Sequence, residues 1–275
     1  MLQPRRSLVL MTFALVSCSS PVVPASTPTN GAITLHVYAT TATLPLLNDL
    51  AVTYSQTHSP VVFESMSGNF QTMLEQIRSE DAAYLLTNHL PENESLLAWP
   101  IGQDGIAIIV NENNPVTGLS SQQLRNIYLG HVSNWSEVGG LPEDMIVLSR
   151  EDGSGTRAEF EKLLMGERLT TRSAQIAPSS NAMIRSVSSI AGAIGYTSMG
   201  YAGAPVQTVA VDESLPTPET VSSNTYPLRS TIYVVGFNEP ENVYREFIGW
   251  IQTPEGQRTV SQHYAPLPTP LQSGT

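Results

Sequence analysis

Three times in this chain a β-rich run gives way to a short loop of Ser, Thr or Gly and then to a helix N-terminus, at residues 40–43, 65–68 and 153–156. "ITLHVY" (33–38) leads through "ATTAT" to "LPLLNDLAVTY", whose Leu46, Leu47, Leu50 and Tyr54 fall at helical spacing, with Pro45 in the first turn and Thr43 near the N-cap. "VVFE" (61–64) leads through "SMSGN" to Phe70, Met73, Leu74 and Ile77, again on one helical face. "AAYLLT" (82–87) reads as a strand ending at Asn88, and "IAIIV" (106–110) as a strand buried on both faces. "SSQQLRNIYLG" reads as a helix and "MIVLS" (145–149) as a strand. The next helix carries Phe160, Leu163 and Leu164 and stops at Gly166. "AGAIGYTSMGY" and "STIYVVGF" hold further strands, and Val243, Phe247, Ile248 and Ile251 mark a late helix. This alternation predicts an α/β fold with mainly parallel sheets.

In open α/β sheets such loops lie at the carboxyl ends of strands, where ligands bind. The first amides of each helix lack intrahelical partners and carry the positive end of its dipole. Three converging N-termini would make an anion site from amides and hydroxyls. For each loop alone, simple capping explains the residues as well, and Thr156 with Glu159 has capping-box spacing. "SREDGSGTRAEFEKLL" (149–164) differs because Arg150 ends a buried strand and needs a partner there. Asp152 is the acid we expect to hold it. Arg157 opposes the dipole of its helix, so it is either a rim cation or the i,i+4 partner of Glu161.

Charge narrows the function classes. The formal charge is −11 and Lys162 is the only lysine, which argues against a nucleic-acid surface. A small anion is still compatible, since oriented amides in a cleft outweigh a distant, screened field. Ser154 lacks a Gly-x-Ser-x-Gly frame, and no P-loop or dinucleotide fingerprint occurs. None of the five histidines has helical metal spacing, so neither a metal nor a cofactor is expected, and no catalytic residue is assigned.

The N-terminus reads as an export signal. Arg5 and Arg6 precede an apolar run too short to span a bilayer. The run ends in "LVSC", which resembles the bacterial lipobox and implies cleavage before Cys18, the only cysteine, and lipidation of its thiol. Residues 1–17 are then a signal peptide, and 18–30, "CSSPVVPASTPTN", a Pro/Ser/Thr-rich tether. Losing the signal peptide removes both arginines and leaves −13.

Five stretches, "IYLGHVSNWSEVGG", "IVLSREDGSGTRAEFEKLL", "AGAIGYTSMGY", "PTPETVSSNTYPLRSTIYVV" and "FIGWIQTPEGQ", closely resemble the phosphate-binding lipoproteins of bacterial phosphate ABC importers, the PstS-like family. The resemblance runs in order from about residue 33 to 266. It implies a type II periplasmic binding protein fold, with two α/β lobes joined by a two-crossover hinge: 31–108 plus 230–275, and 109–229. The crossovers would lie near residues 106–111 and 226–232. It also implies phosphate contacts from Arg150, Ser154, Gly155 and Thr156, with Asp152 orienting Arg150. The first lobe would add the Thr43 hydroxyl, amides at Thr43 and Leu44, and Ser67, with Ser65 as second choice. Where family members often carry an aspartate that accepts the phosphate proton, this chain has Asn88, whose amide oxygen can accept but repels deprotonated anions less. The implied protein is a monomeric, exported lipoprotein that hands inorganic phosphate to a permease and ATPase. The rival readings are capture of another tetrahedral oxyanion such as sulfate, a phosphate-sensing or adhesive surface protein, and a phosphoryl-transfer or hydrolase enzyme.

Overall fold

The computed structural model describes residues 31–58, 60–79, 83–166 and 168–268. The expected signal peptide, Cys18 and tether lie outside the described residues. The chain opens as β1 (Ile33–Thr40), α1 (Leu44–Thr57), β2 (Val61–Glu64), β3 (Ser67–Gly68), α2 (Phe70–Arg78) and β4 (Tyr84–Thr87), followed by the long β5 (Leu97–Asn111). Next come β6 (Gly118–Leu119), α3 (Ser121–Tyr128), β7 (Ile146–Arg150) and α4 (Gly155–Phe160), which a π-helical turn extends over Glu161–Met165. The remainder is β8 (Gln175–Ala177), α5 (Ser180–Ser189), β9 (Ala193–Ser198), β10 (Val206–Val211), α6 (Pro218–Ser222), β11 (Arg229–Gly236), α7 (Asn242–Ile251) and α8 (Pro254–Val260).

These strands join in one path, β2-β1-β4-β11-β5-β9-β7-β8. Its ends are parallel: β1 with β2 and β4, and β7 with β8 and β9. Its middle is antiparallel, because β11 runs against both β4 and β5, and β5 runs against β9. The sheet is therefore more mixed than the α/β alternation predicts.

The join is made by β5. Its residues 97–105 pair with β11, and from Ile106 onward it pairs with β9 and β10. Only the second part was legible as a strand, because the first contains Pro100, which has no N–H for a ladder. The β11 register skips a residue at that point, between Ile232 and Tyr233. At the changeover, a side chain on Gly105 would press within 2.9 Å of Pro216 and 3.0 Å of Val221.

The helices form for the reasons their spacing gives. Leu46, Leu47, Leu50 and Tyr54 of α1 are buried, as are Phe70, Met73, Leu74 and Ile77 of α2. The β1 end of the sheet is sealed by aromatic rings. Phe247 of α7 packs edge-on against Tyr54 and Phe63, each with its ring centroid at 5.0 Å. Phe247 is fully buried, so Phe247→Ala is expected to lower unfolding free energy by about 3–5 kcal/mol in urea titration.

Candidate functional site

Arg150 closes β7 with its guanidinium almost wholly out of water, at 1% exposure. A cation in that position requires partners, and five contacts supply them. Nε and Nη2 donate to the two carboxylate oxygens of Glu151, each at 2.9 Å. Nε also donates to the Ala177 carbonyl at 3.1 Å, Nη2 to Thr41 Oγ1 at 3.1 Å, and Nη1 to Ser180 Oγ at 3.5 Å. The backbone beneath is fixed as well, because the Arg150 amide donates to the buried Tyr196 hydroxyl.

The acid that holds Arg150 is therefore Glu151, which corrects the expectation for Asp152. The chain turns after β7, with Gly153 at φ +81, and leaves the Asp152 side chain 99% exposed. Asp152 instead accepts from Arg157 Nη1 at 2.7 Å. Arg157 also meets Glu161 at 3.1 Å, the i,i+4 pairing that the sequence allowed, and donates to the Arg150 carbonyl. Three of the four acids of "SREDGSGTRAEFE", Glu151, Asp152 and Glu161, are in this way matched to its two arginines.

Ser154 is the N-cap of α4, its hydroxyl accepting from the Arg157 amide at 3.3 Å. The Thr156–Glu159 capping box does not form. Thr156 is the second residue of the helix, two positions past the N-cap, and the Glu159 carboxylate lies 2.8 Å from His89 Nδ1. Ser154, Gly155 and Thr156 are all buried, and the Gly155 and Thr156 amides, being first in the helix, have no intrahelical partner. Gly155 is needed for close approach: a Cβ there would stand 2.8 Å from that of His89 and 3.3 Å from that of Phe70. The Gly153 carbonyl accepts from the Gln71 amide at 3.1 Å, so this loop lies directly on the start of α2.

On the β1 side, Thr43 is the fully buried N-cap of α1, but its hydrogens are already used. Its hydroxyl donates to the Leu86 carbonyl at 2.7 Å and its amide to that of Thr40 at 3.0 Å. The Leu44 amide is the first of α1. Thr41, in the same loop, is the residue that reaches Arg150, and its carbonyl accepts from the Tyr201 hydroxyl at 2.8 Å. Ser67 lies on β3 beside Ala39, exposed like Ser65, and among the described residues neither serine hydrogen-bonds to the other site residues. Arg150, Ser154, Gly155 and Thr156 follow one another from the end of β7 into the first turn of α4, while among the described residues Ser67 makes no hydrogen bond to any of them.

Asn88 follows β4 and is 1% exposed. Its Nδ2 donates to Asp104 Oδ2 at 3.0 Å. Asp104 also accepts from the Ser198 hydroxyl at 2.8 Å and from the Met199 amide at 3.2 Å. Burial pushes the Asp104 carboxyl up to about 7, only partly opposed by these hydrogen bonds.

Thr41, Glu151, Ser180 and Asp104 are site or near-site residues that sequence reasoning missed. Ser180 had a signal, since "QIAPSSNAMI" repeats the strand, Ser-rich loop and helix pattern a fourth time. Asp104 had a weaker one, as an acid just before the fully apolar run of β5. Among the described residues no acidic, His or Cys cluster could hold a metal, and no helix is long and apolar enough to cross a membrane.

The raised Asp104 value makes a stability prediction. Against 3.8 in the unfolded chain, the folded protein favours the protonated acid. That contribution is complete below about pH 4 and is lost as pH rises through about 7. Between those limits the wild type should lose stability relative to Asp104→Asn, by roughly 4 kcal/mol at most, which paired thermal denaturation over this pH range will read.

A family model for the PBP superfamily domain matches residues 24–255. The phosphate-binding protein PstS of Bacillus subtilis (strain 168) is 25% identical over 248 residues, spanning 85% of this chain and 80% of that protein. A crystal structure from Clostridium perfringens, assigned to a phosphate ABC transporter substrate-binding protein and holding phosphate, has a TM-score of 0.81 and 28% identity, covering 86% of this chain and 100% of the other. An ABC-type phosphate transport receptor from Vibrio cholerae has a TM-score of 0.67 and 25% identity, covering 84% and 99%.

Proposed function

This chain belongs to the PBP superfamily and has its type II periplasmic binding protein fold, and from that premise we propose that it captures inorganic phosphate between two lobes and delivers it to an ABC permease. The observation that carries this reading is Arg150, a buried guanidinium on the last residue of β7, in the strand that leads through one short turn to the first amides of α4. Arginine presents a planar fork that suits phosphate oxygens, and helix N-terminal amides suit their charge. The names of the relatives, phosphate-binding and phosphate-transport proteins at 25–28% identity, point the same way.

The lobes are residues 31–108 plus 230–275, and 109–229. In support, β5 exchanges β11 for β9 at Gly105–Ile106, and β11 begins at Arg229, both within a few residues of these limits. Contacts across the cleft so defined include Arg150 and Ser180 to Thr41, the Gln71 amide to the Gly153 carbonyl, His89 to Glu159, and the Tyr201 hydroxyl to the Thr41 carbonyl. Such contacts would hold the trap shut.

The ligand set we assign is Arg150, Ser154, Gly155 and Thr156, with Thr41, Leu44 and Ser180 facing them and Asn88 at the end of β4. Thr43 shapes the β1–α1 loop and can still accept through its oxygen. Net charge-assisted hydrogen bonds of roughly 1.5–3 kcal/mol each can offset anion desolvation and lobe closure. A residual of about −8 kcal/mol corresponds to micromolar binding. Ser154 serves as cap and anion ligand, not as a nucleophile, and we assign no catalysis.

Arg150→Ala is expected to lower phosphate affinity more than about tenfold in calorimetric titration, a loss above 1.4 kcal/mol. Glu151→Gln should lower it less, and Asp152→Asn should leave it unchanged. A loss from Asp152→Asn with none from Glu151→Gln would return the orienting role to Asp152. We also propose export and lipid anchoring at Cys18, with no folded contact needed from the tether. Cys18→Ser should then move the protein from the membrane fraction to the soluble one on fractionation.

A further inference from the structure

Two buried polar atoms near Asp104, Asn88 Oδ1 and Ser230 Oγ, have no hydrogen-bond partner among the described residues. Ser230 stands directly opposite Asp104 in the β11–β5 ladder, so the two side chains share a face of the sheet. Both Asn88 and Ser230 border a cleft of about 290 Å³ that also touches Glu159 and Arg229. A polar atom buried without a partner costs free energy in the empty protein and needs a reason.

The hydrogen bonds of Asp104 supply one. The carboxylate takes donors from the Ser198 hydroxyl, the Met199 amide, the Gly105 amide and the Asn88 side chain. An ionised carboxylate only accepts, so it fixes the otherwise ambiguous Asn88 amide with its nitrogen on Asp104 and its buried oxygen turned away from it. Asn88 is also flanked in sequence by residues that touch the proposed site. Two residues before it, the Leu86 carbonyl holds the Thr43 hydroxyl, and the residue after it, His89, lies against Gly155.

We infer that Asp104 is a positioning residue for anion selectivity, holding Asn88 Oδ1 toward the anion so that it accepts the proton of a P–OH group. The inference rests on the phosphate reading above. Hydrogen phosphate has such a proton to give. Sulfate does not, so its oxygens would meet the lone pairs of Asn88 with no hydrogen between them. If the amide could turn, its NH₂ would welcome either anion, and discrimination would be lost. The selective group at the ligand is neutral, and the charge that aims it lies one residue behind.

Calorimetry with phosphate and with sulfate at about pH 8, where Asp104 is ionised, tests this on the full chain. The wild type should prefer phosphate. In Asp104→Asn the new amide can donate as well as accept, freeing Asn88 to turn, and the phosphate-to-sulfate affinity ratio should fall at least about tenfold. The double variant Asn88→Asp/Asp104→Asn puts the carboxylate at the ligand and the amide behind it, and should bring the ratio back to at least the wild-type value, since a carboxylate repels sulfate more than an amide oxygen does. A merely structural Asp104 would weaken both anions together and leave the ratio alone, which overturns the inference, as does a wild type that binds sulfate as tightly as phosphate. If Asp104→Asn shows no folding transition, Asp104→Ser decides, because its hydroxyl can donate or accept and leaves Asn88 free to turn: a ratio lowered at least about tenfold supports the inference and an unchanged ratio refutes it. A wild type that binds neither anion would instead defeat the phosphate reading itself.

Discussion

A guanidinium at 1% exposure organises the candidate site, because a buried cation left unpaired would be strongly destabilising. The structure answers with ligands from four places in the chain. Glu151 comes from the turn after β7, the Ala177 carbonyl from the end of β8, Ser180 from the first turn of α5, and Thr41 from the loop after β1. The strand ends must converge for this set to exist, and the parallel pairing of β7 with β8 brings Arg150 and Ala177 into register. The fold is thus adjusted to one side chain at its carboxyl edge. An anion arriving there meets a donor whose direction is already set, so little side-chain entropy remains to be lost on binding.

That edge is assembled across the whole sheet, and β5 is what allows it. One continuous strand belongs to two sets of neighbours, β11 before Gly105 and β9 with β10 after it. Asp104 stands at the changeover, and it ties the end of β4, through Asn88, to the end of β9, through Ser198 and Met199. A rotation of one part of the sheet against the other would strain this node first. A carboxylate with several fixed donors resists such movement more than an apolar contact would, since each hydrogen bond is directional. The node therefore both limits how the two parts can move and determines how Asn88 presents its amide.

Much of the fold was legible because its causes are local. The burial of Leu46, Leu47, Leu50 and Tyr54, and of Phe70, Met73, Leu74 and Ile77, follows from a 3.6-residue period alone. The need of Arg150 for a partner was legible too, but not the partner. Glu151 and Asp152 are adjacent, and which one folds back depends on a turn whose shape is set by Gly153 and by contact with α2. Thr43 shows the same limit. Its place at the start of α1 was local, yet its hydroxyl goes to a carbonyl 43 residues away on β4. The first part of β5 escaped because Pro100 and its glycines mask a strand that exists only through pairing with β11.

A formal charge of −11 works against an anion at long range. The acids nearest the site, however, are largely committed: Glu151 to Arg150, Asp152 and Glu161 to Arg157, Glu159 to His89. Arg150 with Glu151 is close to a neutral pair, so the site offers little net positive charge. Its attraction must come from oriented N–H and O–H dipoles, which fall off steeply with distance and act strongly only where water is excluded. Beyond a Debye length of about 8 Å the ligand feels mainly the screened negative surface. Long-range steering therefore contributes nothing to capture. In the proposed capture, the binding free energy is released after the anion is in the cleft, with the Thr41, Gln71 and His89 contacts shut over it and the dipoles acting in a dry space.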